Sequence, residues 1–200
     1  IPPYLHFSLA KYLAIKKAFL ITAQDDTRGS YLEFGVFTGS TFNHAMKENK
    51  KVEKLGYKNM DCEFVGFDSF KGFGPIKKDD EHPNYKDNVF SVNEEKVLRN
   101  IEKCAKGQKY RIIKGFYEDT IKNKTTKDLK IDKAKIIMID CDLKEPATLA
   151  LAFIKPSLQE GTIILFDDFA FFKGSKDKGE YGAFADFKKK NPEILFRRIF

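Results

Sequence analysis

The sequence predicts an α/β fold: a doubly wound, mostly parallel, Rossmann-like sheet with a layer of helices on each face. Two short apolar runs, residues 136–139 (IIMI) and 162–166 (TIILF), are too short for helices and rich in β-branched residues, as suits strands buried on both faces. Between them lies a stretch able to form the crossover helix that parallel strands require, opening near Pro146 and stopping near Gly161. The same alternation of strand and helix recurs along the rest of the chain.

In order, residues 4–24 predict an amphipathic helix. Leu9, Tyr12, Leu13, Phe19 and Leu20 fall near one face, with Lys11, Lys16 and Lys17 largely on the other. Residues 1–29 are therefore read as an N-terminal helical segment and 30–200 as the main domain. Residues 31–34 form the first strand, and Gly35 and Gly39 flank a tight turn. Ser40 or Thr41 can cap the next helix, residues 40–55. A second strand, 63–67, ends at Asp68-Ser69. Residues 74–88, with Pro75 and Pro83, read as a mobile loop near a substrate mouth. A helix over 92–106 leads to a third strand at 110–113, and 136–139 and 162–166 are the fourth and fifth. A helix near 181–190 and a last strand near 194–200 close the chain.

The totals exclude several classes. Two hundred residues, 42% hydrophobic and 14% aromatic, suit one folded domain rather than a disordered chain. The net charge of +7 is almost all lysine, with arginine only at Arg28, Arg99, Arg111, Arg197 and Arg198. Specific nucleic-acid readers favour arginine clusters, so the excess reads as a solvated surface and no nucleic-acid partner is expected. Cys62, Cys104 and Cys141 have no CxxC spacing and suit a reducing compartment. With no signal-peptide pattern and no membrane-length apolar run, the expectation is a cytoplasmic protein without a membrane partner.

The candidate chemistry lies at the strand ends. Asp140 and Asp142 follow the fourth strand, and Asp167 and Asp168 follow the fifth. In open α/β sheets ligands bind outside the carboxyl ends of the strands, so neighbouring strands bring four carboxylates into one crevice. Unpaired, they repel; a divalent cation relieves this, and all-oxygen ligands favour magnesium, calcium or manganese. The turn after the first strand is G-x-x-x-G, neither the dinucleotide fingerprint nor a P-loop. Glu33 just before it is a poor neighbour for pyrophosphate and a good one for an ammonium, which points to S-adenosylmethionine. Asp68 is placed to accept from a ribose diol. Glu118 or Asp119 is placed either to accept from an adenine amino group or to cap a helix. His82 is a weaker candidate for substrate contact.

In these residues the chain resembles the macrocin O-methyltransferase family of class I S-adenosylmethionine enzymes, which methylate sugar hydroxyls. The matching pieces are YLEFGVFTGS, FVGFDSFKGF, FSVNEEKV, IIKGFYEDT, IDCDLKEPATLALAFIKPSLQEGTIILFDDF and the GAFADF helix. The resemblance implies a magnesium site at Asp140, Asp167 and Asp168 and a proton-accepting Asp142. It also implies cofactor contacts at Glu33, Gly35, Phe37, Thr38, Gly39, Ser40, Asp68, Ser69, Glu118, Asp119 and Asp140. The expected acceptor is a small sugar-containing molecule. Where the family carries Leu-Tyr-Glu-Ser after its Asp-x-Asp, this chain has Leu-Lys-Glu-Pro. Lys144, four residues past Asp140, is thus a second candidate base, as in catechol-type enzymes. The fold's usual closing hairpin implies a C-terminal strand missing beyond the last one, and the oligomeric state stays open. The rival readings are a methyltransferase of the same fold acting on a phenolic hydroxyl, an amine or a nucleic-acid base, and a non-catalytic binding module.

Overall fold

The computed structural model describes residues 3–57, 61–83, 85–86 and 89–199. Five strands, β1 (Ser30–Phe34), β2 (Phe64–Asp68), β3 (Tyr110–Lys114), β4 (Ala134–Ile139) and β5 (Ile163–Phe166), form one sheet in the order β3-β2-β1-β4-β5. Every pairing is parallel. The chain starts in the middle, winds outward to β3, and returns to the other side of β1. The strand order therefore reverses between β1 and β4, where doubly wound sheets open their ligand crevice.

The two-residue side-chain period of a strand separates two cores. On one face Tyr31, Phe64, Ile136 and Met138 pack under α1 (Pro3–Gln24), α2 (Ser40–Lys54) and α3 (Glu94–Ala105). On the other, Leu32, Phe34, Val65, Phe67, Ile137 and Ile139 pack under α4 (Tyr117–Thr120), α5 (Lys144–Ile154) and α6 (Gly179–Lys190). Phe34 and Phe67 stack with ring centroids 4.6 Å apart, and Phe153 of α5 meets Phe67 edge-on at 5.4 Å. Such contacts fix the β1–β2 edge that carries the first ligand-facing turn.

Three expectations change. In α1 the buried stripe is Ile15, Ala18, Phe19 and Thr22, while Leu9 and Leu13 are about half exposed. Lys11, four residues before Ile15, continues that stripe and lies over the sheet's carboxyl edge rather than in solvent. The helix N-cap after β1 is Gly39, at φ 76°, without a side-chain cap from Ser40 or Thr41. No strand forms over 194–199 among the described residues; Phe200, in the predicted strand, lies outside them. Asn191 closes α6 by donating to the Phe187 carbonyl at 2.7 Å. The chain turns there and lays Ile194 and Phe196 on the α5–α6 core, Phe196 edge-on to Phe184 at 5.0 Å.

Candidate active site

All five strands point the same way, so their carboxyl ends open into one cavity of about 650 Å³. It joins the turns after β1, β2 and β3 to the acids after β4 and β5. The junction is Gly35: at φ 100°, a Cβ there would lie 1.8 Å from the Asp140 carbonyl oxygen. Only glycine lets the ends of β1 and β4 approach this closely.

The turn after β1 is tied to β2 through Asp68. Its Oδ2 accepts from the Phe37 N–H at 2.7 Å and its Oδ1 from the Phe70 N–H at 2.6 Å. Each oxygen keeps a further lone pair for a ligand hydroxyl. Ser69 lines the cavity, but its hydroxyl serves the next turn, accepting from the Lys71 N–H and donating to the Gly72 carbonyl, both at 3.1 Å. Glu118 and Asp119 lie in the first turn of α4, line the cavity and cap no helix. Gly35 and Phe37 line it too, whereas Thr38, Gly39 and Ser40 sit outside its walls. Gly39 is buried against Val97 and Ile101 of α3. Glu33 is fully enclosed: the Tyr31 hydroxyl donates to its Oε2, and its Oε1 has no hydrogen-bond partner. Burial pushes its carboxyl well above the usual range.

The ends of β4 and β5 bring Asp140, Asp167 and Asp168 together, with one oxygen of each within 4.8 Å of the others. Lys11 Nζ bridges two of them, 2.7 Å from Asp140 Oδ2 and 2.5 Å from Asp167 Oδ2. Burial opposes the lysine's charge, but the two carboxylates outweigh it and raise its pKa. Burial lifts Asp140 to about 7 against the pull of Lys11. Burial and then the neighbouring Asp142 push Asp168 up, and burial pushes Asp142 up as well, so the pair gives up its protons less readily than free carboxyls do. Asp142 itself sits at φ 62°, which turns its carboxylate into the cavity beside Asp168.

Lys144 does not join them. Its Nζ pairs with Asp186 of α6 at 2.8 Å, and Lys144 is not among the residues that line the cavity. His82 is a packing residue, 4.7 Å from the Tyr85 ring and 5.0 Å from Phe172. Of the predicted mobile loop, Asn84, Asp87 and Asn88 lie outside the described residues. The rest is anchored: Asp80 accepts from the backbone N–H groups of Lys144 and Glu145, at 3.0 and 3.4 Å, and so caps α5 from across the cavity.

Sequence reasoning missed four contributors. Lys11 continues the Ile15, Ala18 and Thr22 stripe, a face that the apolar Leu9 and Leu13 masked in the sequence. Glu180 of α6 is fully buried and clamps both acid-bearing turns, accepting from Cys141 N–H at 3.2 Å and Asp168 N–H at 3.1 Å. Asp80 and Tyr85, which lines the cavity beside Asp142, come from the loop, where no period marks them.

Among the described residues no helix is long and apolar enough to cross a membrane. Solved structures share the fold. CalS11, a calicheamicin methyltransferase, matches with TM-score 0.68 and 21% identity over 96% of this chain and 75% of its own. The O-methyltransferase NovP matches with TM-score 0.67 and 21% identity over 90% of this chain and 72% of its own. The apo structure of CalS11, described as a TDP-rhamnose 3'-O-methyltransferase, matches with TM-score 0.60 and 20% identity, covering 89% and 69%. No curated protein matches the chain. The family model for macrocin-O-methyltransferase (TylF) matches residues 11–192, which spans the whole sheet, the cavity and every acid described above. The chain belongs to the macrocin O-methyltransferase family.

Proposed function

We propose that this protein transfers a methyl group from S-adenosylmethionine to a hydroxyl of a sugar-containing small molecule, assisted by a divalent cation, magnesium by preference. The observation that carries the reading is the meeting of Asp140, Asp167 and Asp168 with Asp142 in the same cavity as the glycine turn. The cofactor fits the residues present. Asp68, on the cavity wall, keeps lone pairs for a ribose diol, while Glu33 is fully buried and does not line the cavity. The exposed ring of Phe37 and the acids Glu118 and Asp119 suit an adenine face and edge. The metal fits as well: three convergent carboxylates form an all-oxygen donor set.

When bound, S-adenosylmethionine supplies an electrophilic methyl and magnesium supplies Lewis acidity at the acceptor oxygen. The chain's own residues do the rest. Asp142, aimed into the cavity, takes the hydroxyl proton. Asp140, at the β1–β4 junction, sets the distance between the cofactor half and the acid half, so much of the catalysis is positioning. Glu180 holds the two acid-bearing turns at a fixed spacing. The loop capped onto α5 by Asp80 supplies part of the cavity wall. The sugar reading is supported by the family and by the TDP-rhamnose methyltransferase among its structural neighbours.

The test is calorimetric titration of S-adenosylmethionine, then magnesium, into wild type and an Asp167→Ala/Asp168→Ala double variant. Turnover is then measured on sugar and phenol acceptors with and without EDTA. Cofactor binding to both proteins, magnesium binding to wild type alone, and EDTA-sensitive sugar methylation are expected. EDTA-resistant turnover of a phenol or amine would replace this reading with a metal-free methyltransferase.

A further inference from the structure

A cation already stands between the acids, and it belongs to the chain. Lys11 Nζ lies 2.7 Å from Asp140 Oδ2 and 2.5 Å from Asp167 Oδ2, two of the three carboxylates whose oxygens converge within 4.8 Å. A divalent ion held by those oxygens needs the same lone pairs, and two cations a few ångströms apart repel strongly in a half-buried cleft. The ammonium and the metal therefore exclude one another. The lysine has a way out: its side chain is 17% exposed, and its four-carbon stem rotates freely.

The consequence of displacing it depends on how else this part of α1 is held. Beyond Ile15 the helix is held by a buried apolar stripe, Ile15, Ala18 and Phe19. Before it, Leu9 and Leu13 are about half exposed. Among the described residues two polar ties act there: the Lys11 bridge, and the His44 Nε2 contact with the Tyr12 carbonyl at 3.0 Å, with the Tyr12 and His44 rings 4.5 Å apart. The bridge is thus a principal anchor, among the described residues, between the first half of α1 and the carboxyl ends of β4 and β5.

We infer that Lys11 is a tethered counter-ion of the metal-free site, that it competes with the divalent cation for Asp140 and Asp167, and that metal entry expels it and loosens α1 ahead of Ile15. This rests on the metal reading above. It makes the apparent metal affinity lower than the carboxylates alone would give, by the fraction of molecules in which the lysine has already left. It also couples metal loading to the position of a helix that borders the cavity.

Manganese(II) serves as the probe, titrated calorimetrically into chelator-treated wild type, Lys11→Met and Lys11→Gln. Removing the ammonium is expected to tighten manganese binding tenfold or more, about 1.4 kcal/mol for each factor of ten. In wild type, saturating manganese is expected to speed hydrogen exchange at residues 9–14 while 15–22 stay protected. If manganese binds wild type and the variants equally, or binds the variants more weakly, competition is overturned and the metal reading stands. If manganese binds none of them, both fall. Should both variants fail to fold without metal, the wild-type exchange decides alone: unchanged or slowed exchange at 9–14 overturns the inference.

Discussion

At the end of β2, Asp68 receives two backbone N–H groups, one from the turn after β1 and one from its own turn. At the ends of β4 and β5 four carboxylates converge, and one lysine side chain bridges two of them. The first arrangement is fixed by the fold, because a backbone donor cannot leave without unfolding the turn. The second is exchangeable, because a side-chain ammonium or a proton departs when a better cation arrives. The proposed reaction uses both: a cofactor seat of constant geometry, and an acceptor site whose charge changes as metal loads it. The two halves share a single wall, at Gly35 and Asp140.

That wall is where the comparison breaks most severely. Gly35→Ala would place a methyl group 1.8 Å from the Asp140 carbonyl oxygen, at a φ that alanine disfavours. A loss of about 4 kcal/mol or more is expected, read as a lower urea midpoint, with both halves failing together. Asp142→Asn is next. Asparagine tolerates the left-handed backbone at this position, so the fold is kept while the proton acceptor is lost. Turnover should fall about 10²–10⁴-fold with S-adenosylmethionine affinity unchanged by calorimetry; undiminished turnover rules out this base.

How much of the molecule was legible depended on where each signal resides. The five strands and the crossovers were plain, because buried parallel strands write unbroken apolar runs such as 136–139. The acids at β4 and β5 were plain because position at a strand end decides position in the crevice. Lys11 and Glu180 were hidden because each reaches the site from a helix remote in sequence. A helical residue's destination depends on which face packs, and Leu9 and Leu13 suggested the wrong one. Lys144 shows the converse: it is near the acids in sequence, but as the first residue of α5 it pairs with Asp186 of α6. The final strand failed because its apolar residues found a partner on the α5–α6 core instead of a sheet edge.

Two substitutions sharpen the contrast without destroying the wall. Glu180→Ala strips the acceptor from the Cys141 and Asp168 N–H groups, costing about 1–3 kcal/mol of stability for each donor left unsatisfied. Because those turns carry the carboxylates proposed to hold the metal, magnesium affinity should drop about 10–100-fold, while S-adenosylmethionine affinity holds. Asp68→Asn does the reverse. It weakens two charge-assisted bonds and the seat for a ribose diol, so cofactor affinity should fall about tenfold, with magnesium affinity unmoved. Equal losses of both ligands in either variant would mean that the two halves are one mechanical unit.

The smallest effect separates the halves by pH. Asp140 and Asp168 are raised above the usual carboxylate value, to about 7 and about 9, by burial first and then by neighbouring acids, with Lys11 pulling the other way. Asp142, Asp167, Glu180 and Tyr85 also face this cluster. In the unfolded chain both carboxyls ionise near pH 4, whereas the folded, metal-free protein keeps its protons to higher pH. Across that window the folded state binds more protons than the unfolded state, so stability falls as pH rises and levels off only above the higher folded value. A cation bound to the same oxygens favours the ionised forms and should flatten the slope. Urea midpoints taken from pH 5 to pH 9, with and without millimolar magnesium (about a thousandfold excess over a micromolar dissociation constant), measure both. A decline that magnesium leaves untouched would place its origin outside the acid cluster, and the exchangeable half of the site would then be as fixed as the half built on Asp68.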